Sequence, residues 1–412
     1  MNRLLYLLCS LVIISWTACK KNNDDKSHVG KDIELTAQEQ QKVGADNQFS
    51  LKLFRTSATG ISNNQNLFMS PLSVSMAFGM LANGSNGQTQ TDIYKTMNFD
   101  GFDEGTINTF YNKLTTGLPA IDPDASISIA NSIWYEKGFN ILPQFLQTNT
   151  TFYKAGVQSL DFRSSSAVQT INNWVNDNTQ GKIPKIINVI PDNIVMYLIN
   201  AIYFKDEWDQ QFDKAKSHQQ AFYLANASTI QSNFMQGEVN IKTSIDDLGS
   251  MIELPYKDNK FSMVIMQPRN SHTFTDLVAS LDTTRWNALI HNLHNNRAKL
   301  IMPKFKFSYE DLLNAKLVNM GMGLAFSDNA DFSRIDGKRD LLISEVKHKA
   351  FVEVSEEGTE AAAVTSIGIS TTNAPQVVNL TLDHPFIFMI REVKTGLILF
   401  TGIMNNPNDT GS

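Results

Sequence analysis

FVEVSEEGTEAAAVTSIGISTTNAPQVVNLTLDHPF, residues 351–386, is the stretch that decides how the chain folds. Val352, Glu353, Val354 and Ser355 alternate apolar and polar, as a strand with one buried face does. The alternation then continues where a surface loop would lose it. Thr359, Ala361, Ala363, Thr365, Ile367 and Ile369 form one uncharged face, while Glu360, Ala362, Val364, Ser366, Gly368 and Ser370 form the other. No proline interrupts the segment before Pro375. The 14 residues from Thr359 to Thr372 would span about 46 Å as a strand, at roughly 3.3 Å each. Alanine and glycine nevertheless give it weak intrinsic strand propensity. A segment able to become a long buried strand, without insisting on it, suits a loop that converts.

The rest of the chain is large enough to receive such a strand. It has 412 residues, 42% hydrophobic and 18% charged, the balance of a folded protein with an ample core. The net charge is -6, and no Lys/Arg block exists to track a phosphate backbone, so nucleic acid is not an expected partner. Apolar residues recur at helical spacing from Ala37 to Ala58, with Val43, Phe49, Leu53 and Phe54 on one side. Ser70-Pro71 opens a second helix, Ser70 as its cap, with Gly84 as its stop. Residues 126–136, 194–204, 251–256, 261–268, 299–307 and 397–404 read as strands, and 167–180 and 309–321 as helices. No linker divides the body after about residue 45, which predicts a single domain of mixed α and β structure.

The N-terminus reads as an address. In MNRLLYLLCSLVIISWTAC, residues 1–19, Arg3 precedes an apolar run and then small residues lead to Cys19. This is the pattern of a secretory signal, with residues 1–18 removed. Cys19, following Thr17 and Ala18, resembles the acylated cysteine of bacterial lipoproteins. Residues 19–36 then form a polar tether to a body spanning 37–409. The expected location is outside the cytoplasm, lipid-anchored at a bacterial outer membrane or cell surface, or else secreted. Membrane contact is expected through the lipid only. Cys9 and Cys19 are the only cysteines, so the mature chain holds no intrachain disulfide.

EEGTEAAAVT closely resembles the hinge of inhibitory serpins. Residues 69–93, 172–187, 198–208, 302–307, 323–333, 346–363 and 384–407 also resemble serpin segments in the family's order. The resemblance implies an α+β fold, with mixed sheets surrounded by about nine helices and an exposed reactive loop at about 356–378. It further implies suicide inhibition, in which a protease attacks the loop and the cut loop enters the main sheet. Carried over by matching segment, the hinge is Glu357, Gly358, Thr359, Glu360, Ala361, Ala362, Ala363, Val364 and Thr365. Trp208 lies near the point where the sheet first opens, and Ser70, Ser73, Asn200 and His348 match the polar cluster beneath its middle. Counting 14 residues beyond Gly358, as the resemblance implies, puts the bait bond at Thr372–Asn373, while counting back from Pro385 puts it up to two residues later. Its small, uncharged neighbours predict elastase-like or subtilisin-like serine proteases as partners, with papain-like cysteine proteases as further candidates and trypsin-like enzymes disfavoured. The family also implies a monomer without cofactor or metal.

Three rival readings are open to the residues. Ser344–Lys347, Ser327–Asn329 and Lys394–Gly396 match the three short motifs of penicillin-recognising enzymes, but in the wrong chain order. His291 and His294 could share a metal on one helical face, yet no third ligand accompanies them. A non-inhibitory serpin-like binding module is the third. Such relatives tend to carry bulky, charged or proline residues at the hinge, and Thr359, Ala361 and Ala363 are none of these.

Overall fold

The structure, a computed structural model, describes residues 30–359 and 377–411. The leader 1–18, Cys19, hinge residues Glu360, Ala361, Ala362, Ala363, Val364 and Thr365, and the bond Thr372–Asn373 lie outside the described residues.

In chain order the elements are α1 (Ala37–Ala58), β1 (Leu67–Met69), α2 (Pro71–Ala82), α3 (Gly87–Thr96), α4 (Glu104–Ile121), β2 (Ser126–Glu136), α5 (Pro143–Tyr153), β3 (Gly156–Leu160), α6 (Ser165–Asn178) and β4 (Met196–Glu207). There follow β5 (His218–Tyr223), β6 (Thr229–Ile245), β7 (Gly249–Pro255), β8 (Phe261–Pro268), α7 (Phe274–Ala279), α8 (Thr283–His291), β9 (His294–Pro303) and β10 (Phe305–Leu312). The chain continues through α9 (Asn314–Leu317), α10 (Ser333–Asp336), β11 (Lys347–Val354), β12 (Gly358–Thr359), β13 (Val377–Thr381), β14 (Phe386–Glu392) and β15 (Ile398–Met404). One sheet has six strands in the order β10-β11-β12-β4-β2-β3. The other has nine, running β1-β15-β14-β8-β7-β6-β9-β13 with β5 on β6. The fold is α+β, as expected. Among the described residues there are ten α-helical segments against about nine anticipated, two of them only four residues long.

Helix α1 begins where its capping box closes. The Glu39 N–H donates to Thr36 Oγ1 at 3.2 Å, and the Thr36 N–H donates to Glu39 Oε2 at 2.7 Å. Helix α2 is buried on nearly every side, which its almost unbroken apolar sequence permits, and it packs against β4 of the six-stranded sheet and β15 of the other. Phe68 of β1 pins the two sheets together. Its ring stacks on Phe400 at 5.2 Å and Phe388 at 5.7 Å, and meets Phe307 edge-on at 6.3 Å.

Three sequence expectations shift and one, Gly84, holds. Residues 309–312 are strand, not helix, because β10 pairs with β11 along its whole length, from Phe305↔Val354 to Leu312↔Lys347. His291 ends α8 whereas His294 starts β9, so the two share no helical face. Gly84 follows the end of α2 as expected, one residue past its C-cap Asn83, and a Cβ there would lie 2.3 Å from Ile335 Cγ1. The polar tether, expected to run to residue 36, ends earlier. Ile33 is buried in the core, the Lys31 N–H donates to the Ala120 carbonyl at 2.9 Å, and Asp32 pairs with Lys260 at 2.7 Å.

Candidate functional site at the top of the six-stranded sheet

The site begins where β11 turns into β12. Thr359 pairs with Val354 on one side and with Asp206 on the other, while Gly358 pairs with Glu207. Strand β12 runs antiparallel to both flanks, and among the described residues it is the link between β11 and β4. Gly358 is required by the closeness of that fit, because a Cβ would stand 2.2 Å from the Asp206 carbonyl oxygen and 2.7 Å from Glu207 Cα. The Thr359 side chain points into the core, where its hydroxyl and that of Tyr256 are hydrogen-bonded at 2.6 Å. Residues 356–359, expected at the start of an exposed loop, are therefore buried, the first two in a bend and the last two in the sheet. At the far side of the loop, β13 starts at Val377 and pairs in parallel with β9.

Trp208 closes the top of the gap. Its N–H donates to the Glu357 carbonyl, its indole Nε1–H to the Ser355 carbonyl, both at 2.9 Å, and its ring stacks on Tyr256 at 4.6 Å. The consecutive acids Glu356 and Glu357 turn to different bases. Glu356, almost fully buried, holds Lys304 at 2.9 Å and accepts from the Ser217 hydroxyl at 2.5 Å. Burial pushes its carboxyl up, but Ser217 and Lys304 together outweigh burial and hold it below the usual carboxylate range. Glu357 pairs with Lys214 and accepts from the Ser355 hydroxyl at 2.8 Å. Burial again opposes ionisation there, and Lys214 and Ser355 reverse the balance. Sequence reasoning named Trp208 and Glu357 but missed Ser355, Glu356, Tyr256, Lys214 and Lys304. The signal within reach was the Glu356-Glu357 pair, since two adjacent acids before a buried hinge need two separate cations.

Lower down, Ser70, Ser73, Asn200 and His348 come together. The Ser70 N–H donates to His348 Nε2 at 3.1 Å, the Ser70 hydroxyl to the Leu399 carbonyl at 2.8 Å, and the Ser73 hydroxyl to the Asn200 carbonyl at 3.4 Å. Asn200 Nδ2 donates to Asn131 Oδ1 at 2.7 Å, a partner the sequence reading did not include. A buried His348 whose Nε2 accepts a hydrogen bond is neutral, and burial pushes it down to about 4. Asn200 Oδ1 is buried without a hydrogen-bond partner among the described residues. Beside this cluster a cleft of about 430 Å³ opens between the feet of β4 and β11, lined by Ser73, Leu198, Asn200, Ile343, Val346 and His348.

Comparisons with known proteins agree on one family. The profile described as Serpin (serine protease inhibitor) matches residues 44–407. Iripin-8 of Ixodes ricinus is 33% identical over 386 residues, covering 90% of this chain and 95% of its own. Leukocyte elastase inhibitor A of Rattus norvegicus is 34% identical over 383 residues, covering 89% of this chain and all of its own. Among solved structures, a thermophilic serpin, tengpin, in its native state superposes with a TM-score of 0.82 at 32% identity, covering 91% of this chain and 96% of that one.

Proposed function

The chain belongs to the serpin family, and from that premise we propose that it is a single-use inhibitor of serine endopeptidases with elastase-like or subtilisin-like preference. It catalyses nothing. A target protease attacks the carbonyl of Thr372, the acyl-enzyme forms, and release of the Asn373 amine frees the new end of the loop. The freed strand then enters between β4 and β11 and drags the attached protease with it, so that deacylation stalls.

One observation carries this reading. Thr359 faces Val354 and Asp206, so Thr365, six residues further on, would face His348 and Asn200, six residues back on each flank. The side chain arriving beside the orphaned Asn200 Oδ1 would thus be a hydroxyl, the first donor-bearing side chain on the inward face after Thr359. Ala361 would come level with Phe204 and Val352, and Ala363 with Ile202 and Ala350, where small residues fit between larger ones. Relatives named as elastase inhibitors support the preference for small residues at the bait bond. The papain-like class remains a secondary target under the same chemistry.

The N-terminal segment fits the same role. Cleavage after Ala18 and acylation of Cys19 would hold a monomeric inhibitor on the outer face of a membrane, in reach of exogenous proteases.

The test mixes the protein with an elastase-like protease and, separately, with trypsin, followed by denaturing gels and mass analysis of the released peptide. A complex that survives denaturation with the elastase-like enzyme, and a peptide beginning at Asn373, is the expected result. Clean cleavage without a complex across a broad protease panel would replace inhibition by the non-inhibitory binding reading.

A further inference from the structure

Helix α2 is enclosed almost everywhere. Of its 12 residues only Ala77 and Leu81 are not buried, and being four apart they share one face. Both line the cleft at the foot of the six-stranded sheet, with Ser73, Val74 and Phe78 of α2 beside them. The strand feet add Leu198 and Val346, and the return after α6 adds Ile187. Below β12 no described ladder joins β4 to β11, which leaves the stripe open to the cleft.

The two ends of the cleft differ in chemistry. At the Ser73 end, Asn200 donates from Nδ2 to Asn131 Oδ1 at 2.7 Å, and Asn131 donates in turn to the Tyr153 carbonyl at 2.7 Å. That chain fixes the Asn200 amide with its oxygen toward no described donor. His348, which also lines the cleft, is 6% exposed. Its Nε2 accepts from the Ser70 N–H, so the neutral ring carries its proton on Nδ1, where no described residue accepts it. An acceptor and a donor, both enclosed and both without partners, are costly to leave so. At the Leu81 end the lining is apolar, with Phe332 and Ile335, the latter packed against Gly84 just past α2. Glu345 and Lys347 are already paired at 3.3 Å, as are Lys349 and Glu310 at 3.0 Å, so these charges ask for no charged ligand.

We propose that this cleft binds a small uncharged amphiphile, a primary alcohol of medium chain length, with its hydroxyl at Asn200 and His348 and its alkyl chain along the Ala77–Leu81 face of α2. A hydroxyl donates and accepts from one atom, whereas a carboxylate cannot donate and an ammonium cannot accept. From Ser73 to Leu81 the helix rises about 12 Å, at roughly 1.5 Å per residue, the length of an extended octyl chain. The cleft, at about 430 Å³, has the volume of a small-molecule site. One consequence rests on the reading of the chain as a loop-inserting inhibitor: the head group takes the place assigned there to Thr365, so bound alcohol and inserted loop exclude each other.

The experiment titrates 1-octanol, and separately octyl methyl ether, into the full chain by calorimetry, each below its solubility limit. One saturable octanol site with a dissociation constant of about 10⁻⁴–10⁻³ M is expected. The ether can accept from His348 but leaves Asn200 Oδ1 without a donor, so it should bind roughly tenfold more weakly. Val346→Trp and Ala77→Leu, both at half-buried positions, add bulk inside the cleft and leave every backbone hydrogen bond in place. Each should weaken octanol binding roughly tenfold or more. No saturable octanol binding, ether bound as tightly as the alcohol, or binding unchanged in both variants would overturn the proposal. With an elastase-like protease, saturating 1-octanol should lower the ratio of complex to cleaved chain, and the ether should lower it less. A ratio unmoved by bound octanol would overturn the exclusion of loop by ligand. Absence of any complex without alcohol would instead fail the inhibitor reading, and the calorimetry would still decide the site.

Discussion

At the residue scale, the chain stakes much on a few buried polar groups. His348 has a free-chain pKa near 6.5 and a folded one of about 4. Above pH 6.5 it is neutral in both states and costs nothing. Between pH 6.5 and pH 4 only the unfolded chain takes the proton, so folding stability falls by about 3 kcal/mol over that window. Urea midpoints at pH 7.5 and pH 4.5 should show this slope, and His348→Gln should flatten it. Glu356 makes a second case. Lys304→Ala leaves its nearly buried carboxylate with the Ser217 hydroxyl alone, which should cost about 2 kcal/mol by the same denaturation measurement. The roles of Trp208, Glu357 and His348 were readable only through resemblance to serpin segments. Lys304 and Lys214 were not readable at all, because each lies far along the chain from the acid it neutralises, and only the strand register brings them together.

At the element scale, periodicity found what is locally determined. The apolar stripe gave α1 its bounds at Ala37 and Ala58, and alternation gave β2 at Ser126–Glu136. It failed where partners decide. Residues 309–312 carry helix-compatible side chains but are held as strand by eight successive pairings with β11. IHNLHNN reads as a helix end, yet the chain leaves α8 and enters β9 within three residues because β9 pairs with β6 along its whole length. The period-two face of 359–369 belongs to this scale too, and it makes a prediction. Thr359→Arg would set a charge where a hydroxyl now meets Tyr256, and Ala363→Pro would remove a ladder N–H from the inserting strand. Both variants should be cut by the target protease as substrates and form no stable complex, read as the ratio of complex to cleaved chain on denaturing gels. Stable complexes at the wild-type ratio would remove loop insertion from the account.

At the scale of the whole molecule, the two sheets and their helices form a frame, with β12 already wedged between β11 and β4 at the top and a cleft open at the foot. No described helix is long and apolar enough to cross a membrane. Under the proposed lipidation of Cys19, palmitate labelling of the expressed chain should be lost in Cys19→Ser. The central claim is that the native fold holds back a strand that its main sheet can still accept. The most direct test is to nick the loop at any bond between residues 370 and 374 with a protease that does not form a complex, and to compare thermal unfolding of the nicked and intact proteins. Insertion adds a central strand paired on both flanks, so the midpoint should rise by at least about 10 °C. An unchanged or lower midpoint would mean that the cut loop stays outside the sheet, and the inhibitory account would fail.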